Sequence, residues 1–175
     1  MDDEARQALA SMEMPRRPIN FVPATSGEVL QLGPITCRIM EDGSRTDNRL
    51  ASAEFTLPPN AAGPPAHWHE MHDETFLVTQ GVVRFHAPDA AYHDAHVGDY
   101  VTVPTRAPHT FSNPTDQQAK VFITFTPAFY IDYMKIMAQL SKNGEQMDKE
   151  KNLAIMSRFA TMPAKDMLAE QAKST

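Results

Sequence analysis

The sequence contains a single cysteine, Cys37, among its 175 residues. A lone cysteine excludes an intramolecular disulfide and any zinc site built from several thiolates. Basic residues are also outnumbered, since 16 lysines and arginines stand against 22 acidic residues, a formal net charge of -6. Nucleic acids and anionic membranes attract basic surfaces, so this balance argues against both kinds of partner.

Long apolar runs are missing as well. No stretch approaches the roughly 20 consecutive apolar residues that a membrane-spanning helix requires. The first ten residues are acidic and polar, without the basic start and apolar core of a signal peptide. We therefore expect a cytoplasmic protein that does not enter a membrane. Its length suits one domain with a sizeable hydrophobic core.

Glycine is scarce too, with 7 glycines against 14 prolines, and short β-prone runs separated by turn residues recur from Phe21 to Phe125. Many short strands at this spacing favour an antiparallel β-sandwich or barrel. The predicted strands cover residues 28–32, 35–40, 53–57, 75–79, 82–86, 100–103 and 121–126.

After Pro127 the apolar period changes from two towards that of a helix. One apolar face is predicted from Phe129, Tyr133, Ile136, Met137 and Leu140. A second, shorter apolar stripe runs over residues 153–160, ends at Pro163 and is followed by a tail that we interpret as a frayed helix.

The chain is therefore interpreted as one domain in three parts. Residues 1–18 form an N-terminal arm or short polar helix. Residues 19–127 form a β-barrel, and residues 128–175 form C-terminal helices packed on that barrel.

All seven histidines lie between His67 and His109. In a strand, side chains two residues apart point to the same face, so His67 and His69 can reach one point while Trp68 faces away. Glu74 follows His69 at an odd offset, so a turn or bulge between them is needed to bring its carboxylate inward. Pro104 and Pro108 stiffen the approach to His109, a further imidazole for the same point.

Two stretches around these residues resemble the two cupin motifs. From His67 to Gly81 the sequence fits the first motif throughout, although Gly63 stands two residues nearer His67 than that motif expects. From Gly98 through Pro104 and His109 to Asn113 it resembles the second motif, with Arg106 where the family usually has glycine. The resemblance implies a mainly β fold, a single cupin (double-stranded β-helix, or jelly-roll) barrel with a C-terminal helical appendage.

From about residue 20 to residue 162 the chain is similar to the small quercetin-dioxygenase-like cupins. This resemblance implies one divalent metal ion, held by His67, His69, Glu74 and His109. Fe²⁺ is expected first, with Mn²⁺, Ni²⁺, Co²⁺ or Zn²⁺ as alternatives. A homodimer is also expected by resemblance, because exposed sheet edges in cupins are commonly paired across a dimer.

Three histidines and one glutamate leave open positions on a six-coordinate ion, which is typical of a catalytic site. The first hypothesis is a metal-dependent dioxygenase acting on a small phenolic, diketone or polyketide-like compound of secondary metabolism. The second is a non-redox isomerase, dehydratase, decarboxylase or cyclase, and the third is a small-molecule binding protein without turnover. Glu74 and His72 are the candidate catalytic residues, and an inward acid–base residue such as His72 or His86 would favour the second hypothesis.

Other polar and apolar residues near the motifs admit plainer interpretations. His72 lies in the presumed turn, where a rim or solvent-exposed position is favoured, and His86, His93 and His96 are expected at the surface. Either Arg84 and His86 or Val83 and Phe85 face the barrel interior, and the sequence leaves both registers open. The stripe of Tyr133, Met134 and Met137 is interpreted as core packing.

Overall fold

A computed structural model describes residues 2–12, 17–145 and 148–171. The strands in chain order are β1 (Glu28–Leu32), β2 (Ile35–Glu41), β3 (Ala51–Leu57), β4 (His67–His69), β5 (Asp73–Gln80), β6 (Val82–His86), β7 (Tyr92–His96), β8 (Tyr100–Val103), β9 (Thr110–Ser112), β10 (Ala119–Thr126) and β11 (Thr161–Pro163). The helices are α1 (Asp3–Ser11), α2 (Tyr130–Lys142), α3 (Lys149–Arg158) and α4 (Lys165–Gln171).

The strands form three antiparallel sheets. The largest has the order β1-β2-β3-β10-β5-β8, the second has the order β7-β6-β9, and the third pairs β11 with β4. The order is not sequential, since β10 lies between β3 and β5, as expected for a jelly-roll. Hydrogen bonding does not close these sheets into one ring within the described residues, so the barrel consists of facing sheets.

The core lies between the two larger sheets. Alternation along β10 turns Val121, Ile123 and Phe125 inward, each 1% exposed or less. The ring of Phe76 on β5 contacts those of Phe85 on β6 and Phe111 on β9, at centroid distances of 5.0 and 5.8 Å. These aromatic contacts join the two larger sheets.

The seven predicted strands are confirmed as β1, β2, β3, β5, β6, β8 and β10, with ends that differ by two residues or fewer. Four further strands, β4, β7, β9 and β11, were not predicted. Three of these four contain three residues each, too few to show a period of two, and β7 is an exposed polar strand.

The helical C-terminal region is also confirmed, with a different buried face on its first helix. Tyr130, Ile131 and Met134 are the buried residues of α2, whereas Ile136 of the predicted face is 38% exposed. The predicted helical face was therefore rotated, because the neighbours of this helix lie on the side of Tyr130 and Met134. The tail forms α4, whose Met167 packs with Ala66, Ala164 and Trp68.

Some predicted segments fall partly outside the described residues, namely residues 1 and 13–16 of the N-terminal arm and residues 146–147 and 172–175 of the C-terminal region. The described part of the arm contains α1, which has no buried residue. In the described part of the chain, no helix has the length and apolarity needed to cross a bilayer.

Candidate metal centre

Two of the predicted ligands are paired through their backbones. His67 donates its N–H to the carbonyl of His109 at 3.0 Å, and His109 donates to the carbonyl of His67 at 2.8 Å. Residues that exchange both hydrogen bonds in an antiparallel pair present their side chains on the same face. The two imidazoles therefore lie side by side, with ring centroids 4.5 Å apart.

His69 is positioned by β11, which comes from the C-terminal region. In the β4–β11 pair Thr161 is directly opposite His69, and Thr161 Oγ1 lies 2.9 Å from His69 Nδ1. The same hydroxyl donates to the carbonyl of Phe159 at 3.2 Å, which leaves its lone pairs to accept from Nδ1–H. Trp68, between the two histidines, faces the opposite side and packs with Ala66 and Met167.

Glu74 lies on β5 and faces inward with Phe76 and Val78. Its side chain is 4% exposed. Glu74 Oε1 lies 3.2 Å from His69 Nε2, and Oε2 lies 3.4 Å from His109 Nε2. The bend at residues 70–72 thus supplies the change of face that the odd spacing from His69 requires.

His72 differs from its expected rim or solvent position, because it is buried with 1% exposure. Its Nε2 lies 3.3 Å from Glu74 Oε1. Its ring packs 3.9 Å from that of His69 and 4.4 Å from that of Tyr130. The helix α2, which follows 58 residues later in the sequence, supplies the ring that covers it.

The imidazoles have the hydrogen bonding expected of metal ligands. Nδ1 of His67 lies 2.8 Å from the carbonyl of Pro65, and Nδ1 of His109 lies 2.9 Å from that of Ala107. With His69 held by Thr161, each Nδ1 carries the proton, so each Nε2 offers a lone pair. Nε2 of His69 and of His109 are buried without a hydrogen-bond partner. Two overlapping groups arise, in which the donor atoms lie within 4.8 Å of one another: His67, His69 and His109; and His69, His72 and Glu74.

This donor set fits a divalent ion. Buried nitrogen and carboxylate donors without protein partners are costly unless a cation or proton satisfies them. Burial, with repulsion from His109 and His69, lowers the pKa of His67 to about 3, so its imidazole is neutral at physiological pH. Burial likewise lowers the pKa of His69.

Glu74 is held as a carboxylate. Burial alone would raise its pKa, but the imidazoles of His109, His69 and His72 beside the carboxylate outweigh burial and hold the pKa well below its usual range. For His109, burial would lower the pKa, yet the contact with Glu74 outweighs it and raises the pKa. The charge of the carboxylate is thus available to a cation at the centre of the histidines.

A cavity of about 420 Å³ opens at this cluster. His67 and Glu74 line one end, and α2, α3 and the strands β1, β2, β3, β9 and β10 supply walls. The side chains of the walls are mostly apolar: Leu32, Ile35, Phe55, Phe111, Ile123, Tyr133, Met134, Met137 and Met156. The interpretation of Tyr133, Met134 and Met137 as core packing alone was therefore incomplete, since all three also face this cavity.

The sequence left open which residues of β6 face the interior, and the structure answers this. Val83 and Phe85 face the core with 0% and 5% exposure. Arg84 is on the other face, where it pairs with Asp94 and lies over the ring of Tyr92 at 4.0 Å. His86 is half-buried on that outer face, so neither Arg84 nor His86 lines the cavity.

The remaining histidines, His93 and His96, are exposed on β7, as expected.

The turn with Arg106 keeps the conformation that a glycine would adopt easily. Arg106 has φ of 66°, donates its N–H to the carbonyl of His69 at 2.7 Å, and pairs with Glu70 through its guanidinium. At position 63 the backbone leaves no room for a side chain, because a Cβ there would collide with the carbonyl of Phe111.

Two residues near the cluster were missed by sequence reasoning. Thr161 fixes His69, and Tyr130 packs against the rings of His69 and His72 while lining the cavity. Burial, with the negative charge of Glu74, raises the pKa of Tyr130 well above its usual value, so the phenol keeps its proton. The signal available in the sequence was the tyrosine pair of residues 130 and 133 on the helix following the last barrel strand.

Comparison with known proteins agrees with this architecture. The Cupin domain family matches residues 53–125. No curated relative matches the chain.

Among solved structures, KdgF from Halomonas sp. has a TM-score of 0.55 at 19% identity, covering 63% of this chain and 94% of that chain. A sugar phosphate isomerase of the cupin superfamily from Silicibacter pomeroyi has a TM-score of 0.54 at 21% identity, covering 61% and 75%. An RmlC-like cupin from Shewanella frigidimarina has a TM-score of 0.52 at 18% identity, covering 63% and 93%. At these identities the likeness concerns the fold alone.

Proposed function

Since this chain carries a cupin domain and has the cupin fold, we propose that it is a metal-dependent enzyme acting on a small molecule bound in the cavity. The ligands are His67, His69, Glu74 and His109. The observation that carries the proposal is the pair of buried Nε2 atoms, on His69 and His109, that have no hydrogen-bond partner. Fe²⁺ is the first candidate ion, and Mn²⁺, Ni²⁺, Co²⁺ and Zn²⁺ bind the same donor types.

A divalent ion at these ligands would supply Lewis acidity, lowering the pKa of an enol, phenol or similar oxygen of the substrate. The apolar walls exclude water and thereby strengthen electrostatic interactions at the reacting end. Glu74 lines the cavity and is a carboxylate, so it can accept a proton from a substrate atom placed there.

His72 provides a second acid–base group behind Glu74. Its Nε2 lies 3.3 Å from Glu74 Oε1, close to the range for direct proton exchange. Tyr130 lines the cavity and remains a phenol, so it can donate a hydrogen bond to developing negative charge on the substrate. These groups favour proton-transfer chemistry, and we propose an isomerase, dehydratase, decarboxylase or cyclase as the reaction class.

A dioxygenase acting on a phenolic, diketone or polyketide-like compound is the second candidate. It is favoured by the apolar lining, because an aromatic substrate and dioxygen both prefer an apolar environment to water. The two candidates share the ligands and differ in their need for oxygen. A redox-active ion is required by the second candidate and not by the first.

The first experiment is elemental analysis of purified protein beside the double variant His67→Ala/His69→Ala. Near-stoichiometric metal in the wild type, and its loss in the variant, is the expected result. The matched control is His93→Ala/His96→Ala, which removes two exposed histidines from β7 and should retain full metal content. Protein that stays free of metal after reconstitution contradicts the proposal and leaves a binding protein without turnover.

The reaction class is tested by incubating the loaded protein with phenols and β-diketones, with and without oxygen. Turnover under anaerobic conditions, supported by Zn²⁺, is expected for proton-transfer chemistry. Stoichiometric oxygen consumption, with no anaerobic turnover, would select the dioxygenase instead. Glu74→Gln should lose activity in either case.

A further inference from the structure

The cavity is elongated along α2. Tyr130, Met134, Met137 and Ser141 all line it, and they recur at helical spacing on one face of that helix. Eleven residues separate the first from the last, which corresponds to about 16 Å at the rise of an α-helix. A ligand that fills the cavity therefore extends well beyond the histidine cluster.

The charge of the cavity restricts that ligand. Among the described residues that line it, Glu74 is the only side chain of a charged type, and none is lysine or arginine. A phosphate or carboxylate placed along these walls would be desolvated without a cationic partner, which is strongly unfavourable. The walls therefore favour an uncharged, mainly apolar molecule.

Asn152 is a polar residue on the mostly apolar helical wall of the cavity. Phe159, which follows α3, contacts Phe129 and Tyr133 at the start of α2, so Asn152, seven residues earlier, lies towards the opposite end of that wall. Asn152 lies on α3, lines the cavity, and has its Oδ1 atom buried without a hydrogen-bond partner. Met156, one helical turn further on, lines the cavity too. A buried acceptor left without a donor destabilises the protein, so its position indicates a donor supplied from the cavity.

We propose that the substrate is an elongated, uncharged, mainly apolar molecule that carries a hydrogen-bond donor at its distal end. The donor, a hydroxyl or an amide N–H, binds Oδ1 of Asn152. The oxygen at the other end lies at His67 and Glu74, and this end alone rests on the function proposed above. Asn152 is thus a specificity-determining residue on the helical appendage.

The test uses two catechols of equal length. The first probe is 4-(6-hydroxyhexyl)catechol and the second is 4-heptylcatechol, which replaces the terminal hydroxyl with a methyl group. A third probe, 6-(3,4-dihydroxyphenyl)hexanoate, places a carboxylate at the distal end. Binding is measured by anaerobic calorimetry on the metal-loaded protein and on protein treated with EDTA.

We expect the hydroxyl probe to bind roughly five-fold more tightly than the methyl probe, the effect of one net hydrogen bond. The carboxylate probe should bind more weakly than both. In Asn152→Leu the preference for the hydroxyl should disappear while the methyl probe still binds. Asn152→Asp, which keeps an acceptor, should retain a preference for the hydroxyl.

The melting temperature of Asn152→Leu shows whether Asn152 binds the ligand or instead stabilises the fold. Because Asn152→Leu removes an unpartnered buried atom, its melting temperature should equal or exceed that of the wild type. A lowered melting temperature would assign Asn152 to the fold instead. The matched control is Asn143→Leu, at the exposed C-terminal end of α2, which should leave the ratio of affinities unchanged.

The two proposals fail in different ways. If EDTA has no effect on affinity but the hydroxyl preference persists, the metal site is wrong and the distal donor site stands. If affinity depends on metal but the two uncharged probes bind equally, the distal donor site is wrong. The proposed substrate class is wrong if neither uncharged probe binds either form of the protein. It is also wrong if the carboxylate probe binds most tightly.

Discussion

Each of the three histidines proposed as metal ligands, His67, His69 and His109, has an oxygen atom at its Nδ1. For His67 and His109 the oxygen is a carbonyl only two residues away, at Pro65 and Ala107. For His69 it is the hydroxyl of Thr161, which is 92 residues away in the sequence. The tautomer of His69 therefore depends on a residue of the C-terminal region.

Replacing Thr161 with valine removes this hydroxyl and keeps the shape of the side chain. We expect the affinity for Zn²⁺ to fall about 10- to 100-fold, because the partner of a ligating histidine fixes its tautomer and orientation. The affinity is measured by competition with a chelating dye. Thr161→Ser keeps the hydroxyl and should bind nearly as the wild type does, and equal affinity of all three proteins would contradict the assignment.

Arg106 is a second residue whose role depends on its conformation. At φ of 66° a side chain with a Cβ is strained, whereas glycine adopts this region readily. Arg106→Gly and Arg106→Ala both lose the exposed ion pair with Glu70, but only the glycine variant relieves the strain. We expect Arg106→Gly to be about 1 kcal/mol more stable than Arg106→Ala.

Urea denaturation of these two variants gives the comparison directly. An alanine variant as stable as the glycine variant would show that the backbone at residue 106 relaxes out of the left-handed region. The comparison is informative because the sequence motif places glycine at this position, and the arginine keeps the same backbone path.

The sequence could place His67, His69 and Glu74 near one another because a strand period and one turn relate them locally, and His109 was added by the resemblance to the second cupin motif. Thr161 and Tyr130 could not be predicted, because their proximity arises from β11 and α2 folding back onto β4. His72 was expected at the rim for the same reason. Its burial depends on the ring of Tyr130, which no local pattern around residue 72 encodes.

At the scale of elements, α2 is both a wall of the cavity and a support against the first hairpin. Its buried residues include Tyr130 and Met134, which line the cavity. Lys135 points the other way and lies 3.0 Å from Asp42 Oδ2 and 3.4 Å from Glu28 Oε2. This ion-pair network connects the helix to β1 and to the turn after β2.

Hydrogen bonds from Ser44, and then from Lys135, lower the pKa of Asp42 to about 2. A carboxyl group whose pKa is lower in the folded state contributes stability above its unfolded pKa of about 3.9 and loses it as the pH falls towards 2. Because the Asp42 side chain is 37% exposed, solvent screening limits the contribution to about 1 kcal/mol or less.

Asp42→Asn should therefore lower the free energy of unfolding by at most about 1 kcal/mol at pH 7. The difference from wild type should narrow as the pH falls from about 4 towards 2, because the wild-type carboxylate is then protonated. Urea denaturation at a series of pH values measures this difference, with Asp116→Asn in an exposed turn as control. A difference independent of pH would mean that the charge of Asp42 is not the cause.

Long strands with alternating burial were predictable, as β5, β6 and β10 illustrate. The short strands β4, β9 and β11 were not, because their pairing is set by partners distant in sequence. The helix α2 was predicted with a rotated face, since many of its positions are apolar. Packing against the cluster and the sheets selects Tyr130 and Met134 as the buried side.

At the scale of the whole molecule, the outer face of the six-stranded sheet carries an apolar row. Leu77 on β5 is directly opposite Tyr100 on β8 and Phe122 on β10. Tyr100 is 61% exposed and Leu77 is 37% exposed, while Phe122 is half-buried. Exposed apolar groups that adjoin one another on a sheet are typical of a protein–protein contact.

We expect this row to lie in the interface of a homodimer, with β8 as the neighbouring sheet edge. Light scattering at micromolar concentration should give twice the monomer mass for the wild type. The double variant Leu77→Glu/Tyr100→Glu should give the monomer mass and keep its metal, because both side chains point away from the cavity. Tyr92→Glu, on the other large sheet, is the control and should remain dimeric. A wild-type monomer would contradict the dimer itself, whereas a dimeric double variant would place the interface on another face of the protein.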